Sequence, residues 1–96
     1  MSEKNYEKQL YGVIASLKSP EEAEKFLGDL CTVQEIEHMA QRVESARLLM
    51  ENKTYGEELS RVGVSSATLS RVSKCVKYSD GYTTVLPSYF ESEDKK

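Results

Sequence analysis

The stretch TYGEELSRVGVSSATLSRVSKCV, residues 54–76, contains two short helical patterns separated by a tight turn. Thr54 with Glu57 forms a capping box at its start. Gly63 can take a positive φ at the end of the first pattern, and Ser65 can cap the second. Apolar residues recur at spacings that pack the second helix against the first and against the domain: Val62, Val64, Leu69, Val72 and Val76. Two helices joined in this way are typical of a helix-turn-helix.

The remaining face of the second predicted helix carries small hydroxyl and methyl groups followed by long cations. These residues are Ser66, Ala67, Thr68, Ser70, Arg71 and Lys74. A helix that enters the major groove of DNA must be narrow at its leading end and cationic where it passes the phosphates. Residues 59–79 hold four cationic residues and no acidic one, a local charge of +4 in a chain of net charge -3. The pattern predicts a DNA-binding surface; the alternative is a helix start followed by an ordinary solvated face.

Three further helical patterns precede this stretch, each with an apolar stripe at three- and four-residue spacing. The first covers residues 6–18. Ser19, followed by a proline, predicts the start of the second helix. Thr32 and Glu35 form a capping box that opens the third and longest helix, which covers residues 32–52.

The segment after Lys77 has a different character. Residues 82–86, YTTVL, favour a β conformation and are followed by Pro87. Because a lone strand is not stable, we expect an extended arm packed on the body and, from residue 88, a mobile tail. The aromatic residues of this segment are interpreted as packing of the arm rather than as a stacking platform for single-stranded nucleic acid: Tyr78, Tyr82, Tyr89 and Phe90.

Length and composition exclude several classes of protein. Ninety-six residues predict one domain with a small core, for which dimerisation would help. The chain shows neither a signal-peptide core nor a membrane span, so a cytoplasmic protein is expected. Cys31 and Cys75 are far apart and His38 is the sole histidine, so we expect buried thiols, a boundary histidine and no metal site. No nucleophile has a base at a suggestive spacing, so we predict neither an enzyme nor a cofactor.

Three pieces of the sequence carry a family resemblance: LCTVQEIEHMAQRVESARLLMENKT (30–54), the turn GVSS (63–66) and ATLSRVSKCVKY (67–78). Together they resemble the Trp repressor superfamily, in particular its small Trp-repressor-related members of the YerC/YecD type. The resemblance implies an all-α, intertwined homodimer with a helix-turn-helix. It divides the single domain 1–96 into dimerisation helices (5–53), the helix-turn-helix (54–77), and a C-terminal arm and tail (78–96).

The resemblance also implies a ligand pocket that this sequence has filled in. Arg42 matches a family arginine near both ligand and phosphate, and Arg71 matches the arginine that holds the ligand carboxylate. Val72 stands where the Trp repressor has a glycine against the indole ring, and Cys75 where it has a serine that reaches the ligand amine. Since a valine would occupy the space of the ring, we predict a vestigial pocket and no response to tryptophan, and leave any other effector open.

These observations predict a sequence-specific, double-stranded-DNA-binding transcriptional regulator. The candidate DNA-binding residues are Arg42, Ser65, Ser66, Ala67, Thr68, Ser70, Arg71, Lys74 and Lys77. Arg42 could instead pair with a neighbouring carboxylate, as could Arg47. The competing hypothesis is a dimeric protein-interaction adaptor that has lost DNA reading. It is favoured by the net acidity and by Glu58, which occupies a place where related proteins favour an apolar residue and is followed by Leu59 one position late.

Overall fold

The computed structural model describes residues 3–51 and 57–94, which form six α-helices and no strand. The helices are α1 (Glu3–Ala15), α2 (Pro20–Leu30), α3 (Val33–Met50), α4 (Glu57–Val62), α5 (Ser66–Tyr78) and α6 (Gly81–Asp94). The prediction of an all-α fold is confirmed. The chain divides into two compact units, one up to Ile36 and one from Glu37 onward.

Two predicted helix starts are confirmed by their hydrogen bonds. The Ser19 hydroxyl accepts the backbone N–H of Glu22 at 3.1 Å and caps α2. At the start of α3, Thr32 Oγ1 accepts the N–H of Glu35 at 3.1 Å, and the Glu35 carboxylate accepts the N–H of Thr32 at 2.8 Å. The hydrogen bond that the Thr32 N–H donates to the Glu35 carboxylate is the main cause that holds the pKa of Glu35 below its usual value.

The first helix ends earlier than the predicted boundary at residue 18. Beyond Ala15 the backbone N–H of Ser16 is shared between the carbonyls of Gly12 and Val13, at 3.1 Å each. Its hydroxyl also donates to Val13 O at 2.7 Å. Ser19 must then be extended, at φ -153° and ψ 160°, to cap α2. The chain therefore leaves the helix before the apolar period ends.

None of the described residues up to Ile36 is buried. The apolar side chains of α1 and the end of α2 remain accessible: Tyr11 is 63% exposed, Ile14 45% and Leu30 51%. These helices have the apolar stripes that the sequence predicts, but their own unit does not cover them.

The second unit has a core built by three helices. Ala46 of α3, Val72 of α5 and Leu86 of α6 are buried together. Around them pack partly buried residues from the same helices: Leu49, Met50, Val76, Tyr82 and Phe90. This core fixes the back of α5, so the orientation of the helix in its unit is determined by α3 and α6.

The prediction of an extended arm over residues 82–86 with a mobile tail is wrong, because α6 continues to Asp94. Tyr82, Leu86 and Phe90 are four residues apart, so a helix brings all three to the same core, whereas a strand would place them differently. Burial of this stripe outweighs the local β preference of the sequence. Residues 95 and 96 lie outside the described part of the chain.

Arg47 connects α3 to α6. Its guanidinium donates to both carboxylate oxygens of Glu44 and to Glu51, each at 2.7 Å, and lies 5.5 Å from the ring centroid of Phe90. The hydrogen bond to Glu44 is the main cause of a raised pKa of Arg47, and it lowers the pKa of Glu44 in turn. The alternative in which Arg47 pairs with its neighbours is confirmed.

Candidate nucleic-acid interface

The turn between α4 and α5 has the predicted geometry. Gly63 follows the last residue of α4 and has φ 87°, the left-handed region that side chains rarely adopt. Leu59 of α4 is buried, with 3% of its surface exposed. The predicted helix end at residues 52–53, the capping residue Thr54 and the side chain of Glu58 lie outside the described part of the chain.

Ser65 begins α5 as predicted. Its hydroxyl oxygen accepts the N–H of Thr68 at 3.1 Å, and the hydroxyl donates to Thr68 Oγ1 at 3.0 Å. A hydroxyl has a single hydrogen to donate, so that of Ser65 is used within the cap. Thr68 keeps its own hydroxyl hydrogen and is therefore the better donor to an external acceptor.

The predicted DNA-facing side chains of α5 are accessible. Six of them are exposed: Ser66, Ala67, Ser70, Arg71, Lys74 and Lys77. The 100° step of an α-helix places them on one side, opposite the buried Val72. No acidic residue lies among the described residues of α5. The front of α5 is thus a positively charged surface whose orientation is fixed by its apolar back.

Arg42 of α3 adjoins the start of α5. A cavity of about 340 Å³ is lined by His38, Gln41, Arg42, Gly63, Val64, Ser65 and Thr68. The structure therefore brings Arg42 together with two further candidate residues, Thr68 of α5 and Ser65, which caps that helix. Among the described residues, Arg42 forms no ion pair, unlike Arg47.

Two residues of this cavity were missed by the sequence analysis. The sequence predicts a boundary residue at His38 and carries no signal at Gln41. Both precede Arg42 on α3, by four and one positions, so the helical period could have placed at least His38 on the side of Arg42. The missing information was which side of α3 the turn at Gly63 approaches.

The four residues of the predicted vestigial pocket have unlike surroundings. Val72 is 1% exposed and packs in the core, Cys75 is half-buried, and Arg71 is exposed. Arg42 lines the cavity described above, and the other three are not among its lining residues. The structure thus places Val72 in the core, and the absence of an indole ring at this position stays a prediction.

Two negative observations apply to the described residues. They contain no group of three histidine, cysteine or acidic side chains placed to hold a metal ion. None of their helices combines the length and the apolar character needed to cross a membrane.

The chain is similar to several known proteins over most of its length. The family model described as Trp repressor protein matches residues 6–89. The uncharacterized protein YerC of Bacillus subtilis (strain 168) is 45% identical over 86 residues, which cover 88% of this chain and 83% of YerC.

Two solved structures agree with these matches. One is a candidate Trp repressor from Staphylococcus aureus, with TM-score 0.82, 34% identity, and coverage of 88% of this chain and 86% of that one. The other is a TrpR-like protein from Eubacterium eligens ATCC 27750, with TM-score 0.78, 41% identity, and coverage of 85% and 86%. The resemblance inferred from residues 30–78 is confirmed, and the chain belongs to the Trp repressor family.

Proposed function

We propose that the protein is a homodimeric, sequence-specific DNA-binding transcriptional regulator of the cytoplasm. The observation that carries this proposal is the exposed, acid-free front of α5, fixed in orientation by the buried Val72 behind it. Membership of a family that binds DNA and is regulatory rather than enzymatic supports the same conclusion.

The contacts divide along α5. Near its start, small side chains allow the helix to approach base edges: Ser66, Ala67 and Ser70. Towards its end, Arg71, Lys74 and Lys77 are long enough to reach phosphates on either side of the groove. Arg42, which has no ion pair among the described residues, and Thr68, whose hydroxyl hydrogen is not used within the cap, lie at one cavity and supply two further phosphate contacts.

The dimer is proposed from the first unit. Its helices have apolar stripes, and none of its described residues is buried. A second copy that covers Tyr11, Ile14 and Leu30 would remove this apolar surface from water, and the family implies an intertwined arrangement. Two copies of α5 would then face successive major grooves of one duplex.

Fluorescence anisotropy with a mixed-sequence DNA duplex at low salt tests the proposal. The double substitution Arg71→Ala with Lys74→Ala should weaken binding and reduce the slope of log affinity against log salt by roughly 0.9 for each phosphate that is no longer neutralised. Lys18→Ala with Lys25→Ala removes the same charge from exposed positions in the first unit and is the matched control.

Absence of binding by the unmodified protein would contradict the proposal. Equal losses in both double variants would also contradict it, because the effect would then depend on net charge alone. In the first case the adaptor hypothesis becomes the better one. Selection of bound genomic fragments then gives the target sequence and shows whether binding is sequence-specific.

We further propose that tryptophan is not an effector. Val72 fills core space at the position of the family glycine. Saturating tryptophan should therefore leave the melting temperature unchanged, whereas a ligand that binds the folded state raises it. A clear stabilisation by tryptophan would overturn this part of the proposal without affecting DNA binding.

A further inference from the structure

His38 and Arg42 line the same cavity, one helical turn apart on α3. The cavity opens at the turn of Gly63 and at the start of α5, where DNA is proposed to bind. Among the described residues that line it, these two alone can carry a charge, and both charges would be positive. The histidine is exposed, so its ring is accessible to an external anion.

We infer that His38 is a further DNA-contacting residue and that its protonation strengthens DNA binding. The inference rests on the proposed function, because the anion concerned is a backbone phosphate of the bound duplex. An imidazole exchanges a proton between pH 5 and 8, and the imidazolium donates a charge-assisted hydrogen bond to a phosphate oxygen. With the protonated imidazole, each copy of the chain supplies two cations at the cavity, His38 and Arg42. With the neutral imidazole, it supplies Arg42 alone.

The charged neighbours of His38 are few. On its own helix, Arg42 follows by four residues, and Glu35 and Glu37 precede it by three and one. The Glu35 carboxylate accepts the N–H of Thr32, and Glu37 lines a separate cavity. From the turn and from α5, the described side chains at the cavity are uncharged.

Linkage fixes the sign of the effect. If the bound phosphate favours the charged imidazole, the complex binds more protons than the free protein, and affinity increases as pH falls. Each imidazolium that reaches a phosphate should raise affinity roughly five- to tenfold at moderate salt and steepen the salt slope by about 0.9. The chain contains one histidine, so the effect can be assigned to a single residue.

The test measures anisotropy with the same mixed-sequence duplex at about pH 5.5 and about pH 8, at constant ionic strength. The unmodified protein should bind more tightly at the lower pH. His38→Gln, which keeps a polar side chain but cannot charge, should bind equally at both values. His38→Lys, which is charged at both, should bind tightly and independently of pH.

The outcomes separate this inference from the proposed function. Unmodified protein that binds DNA equally at both pH values overturns the role of His38 and leaves the regulator intact. The same holds if His38→Gln keeps the full pH dependence. Failure of the unmodified protein to bind at either pH overturns both.

Discussion

The helices before Ile36 and those after Glu37 have similar apolar periods but unequal burial. In the later unit, α3, α5 and α6 bury Ala46, Val72 and Leu86 against one another. In the earlier unit, no described residue is buried, although α1 and α2 follow the same three- and four-residue spacing. The amphipathic pattern thus indicates that a helix needs a partner surface, but does not say which chain provides it.

The unequal burial of the two units also indicates that they have different roles. The later unit orients α5 through contacts with α3 and α6 of the same chain. The earlier unit leaves apolar side chains of α1 and α2 exposed, and this is the surface that we propose joins two copies. Substitutions in the two units should accordingly change different observables, folding stability in one and association in the other.

The largest effect is expected for Leu86→Ala. Leu86 is 9% exposed in the core, and such a truncation removes buried apolar surface and leaves a cavity, at about 2–5 kcal/mol. Urea unfolding at fixed protein concentration measures the loss. Thr84→Ala, at an exposed position of the same helix, is the control and should change stability by less than about 0.5 kcal/mol.

In the earlier unit, Ile14→Asp should act on association instead. Ile14 is 45% exposed, so a carboxylate there is well solvated in the monomer but would be desolvated by a second copy. We expect the dissociation constant of the dimer to rise at least about a hundredfold. Light scattering over a dilution series would show it as a decline towards the 10.9 kDa mass of one chain. An unchanged mass would remove Ile14 from the interface.

Arg47→Met tests the connection between α3 and α6. It removes the hydrogen bonds to Glu44 and Glu51 and the stacking on Phe90, at about 1–2 kcal/mol near neutral pH. Because Arg47 lowers the pKa of Glu44 in the folded state, the contribution of this pair is fully present above the ordinary pKa of 4.5 and is lost as pH falls through the lowered pKa of the folded state. The stability difference between the two proteins should therefore be larger at pH 7 than in acid, where only the stacking on Phe90 remains. Arg42→Met, without an ion pair among the described residues, should not change stability.

Two of the three confirmed serine and threonine caps provide a smaller and matched test. Thr32→Ala and Ser65→Ala each remove a side-chain acceptor at a helix start and should cost about 1 kcal/mol. Only Ser65→Ala should also weaken DNA binding, because Ser65 holds the hydroxyl of Thr68. Equal DNA affinity of the two variants would place the start of α5 outside the interface.

The smallest effect is expected for Ser45→Ala. The Ser45 hydroxyl is fully buried and has no hydrogen-bond partner among the described residues. Its removal should leave stability unchanged or increase it by up to about 1 kcal/mol. A destabilisation that vanishes on dilution to the monomer would instead reveal a partner for this hydroxyl on a second copy.

Local chemistry made much of the fold predictable. Ser19, Thr32, Gly63 and Ser65 mark helix ends through hydrogen bonds or φ values that depend on near neighbours in sequence, and all four are found as predicted. The accessible residues of α5 followed from its 3.6-residue period for the same reason.

The sequence offers no guidance where the structure depends on contacts between elements that are far apart along the chain. Residues 82–86 look like a strand until Leu86 and its neighbours meet a core formed by α3 and α5. No observation contradicts His38 as a boundary residue, but its place in the lining of a cavity beside the turn at Gly63 could not be read from its neighbours along α3. Neither the packing of α6 on α3 and α5 nor the approach of the turn to α3 can be predicted from a short window of sequence.

Pro87 lies inside α6 and makes local opening of that helix easier. It has no N–H, so the carbonyl of Thr83 cannot receive the usual hydrogen bond and the helical ladder is interrupted at that point. The missing hydrogen bond weakens the coupling between the two halves of α6. Both halves therefore depend on packing against α3 and α5 to stay helical. Amide protons of α6 should consequently exchange with solvent before those of α3, through local opening of α6 that also uncovers the side of α5 packed against it.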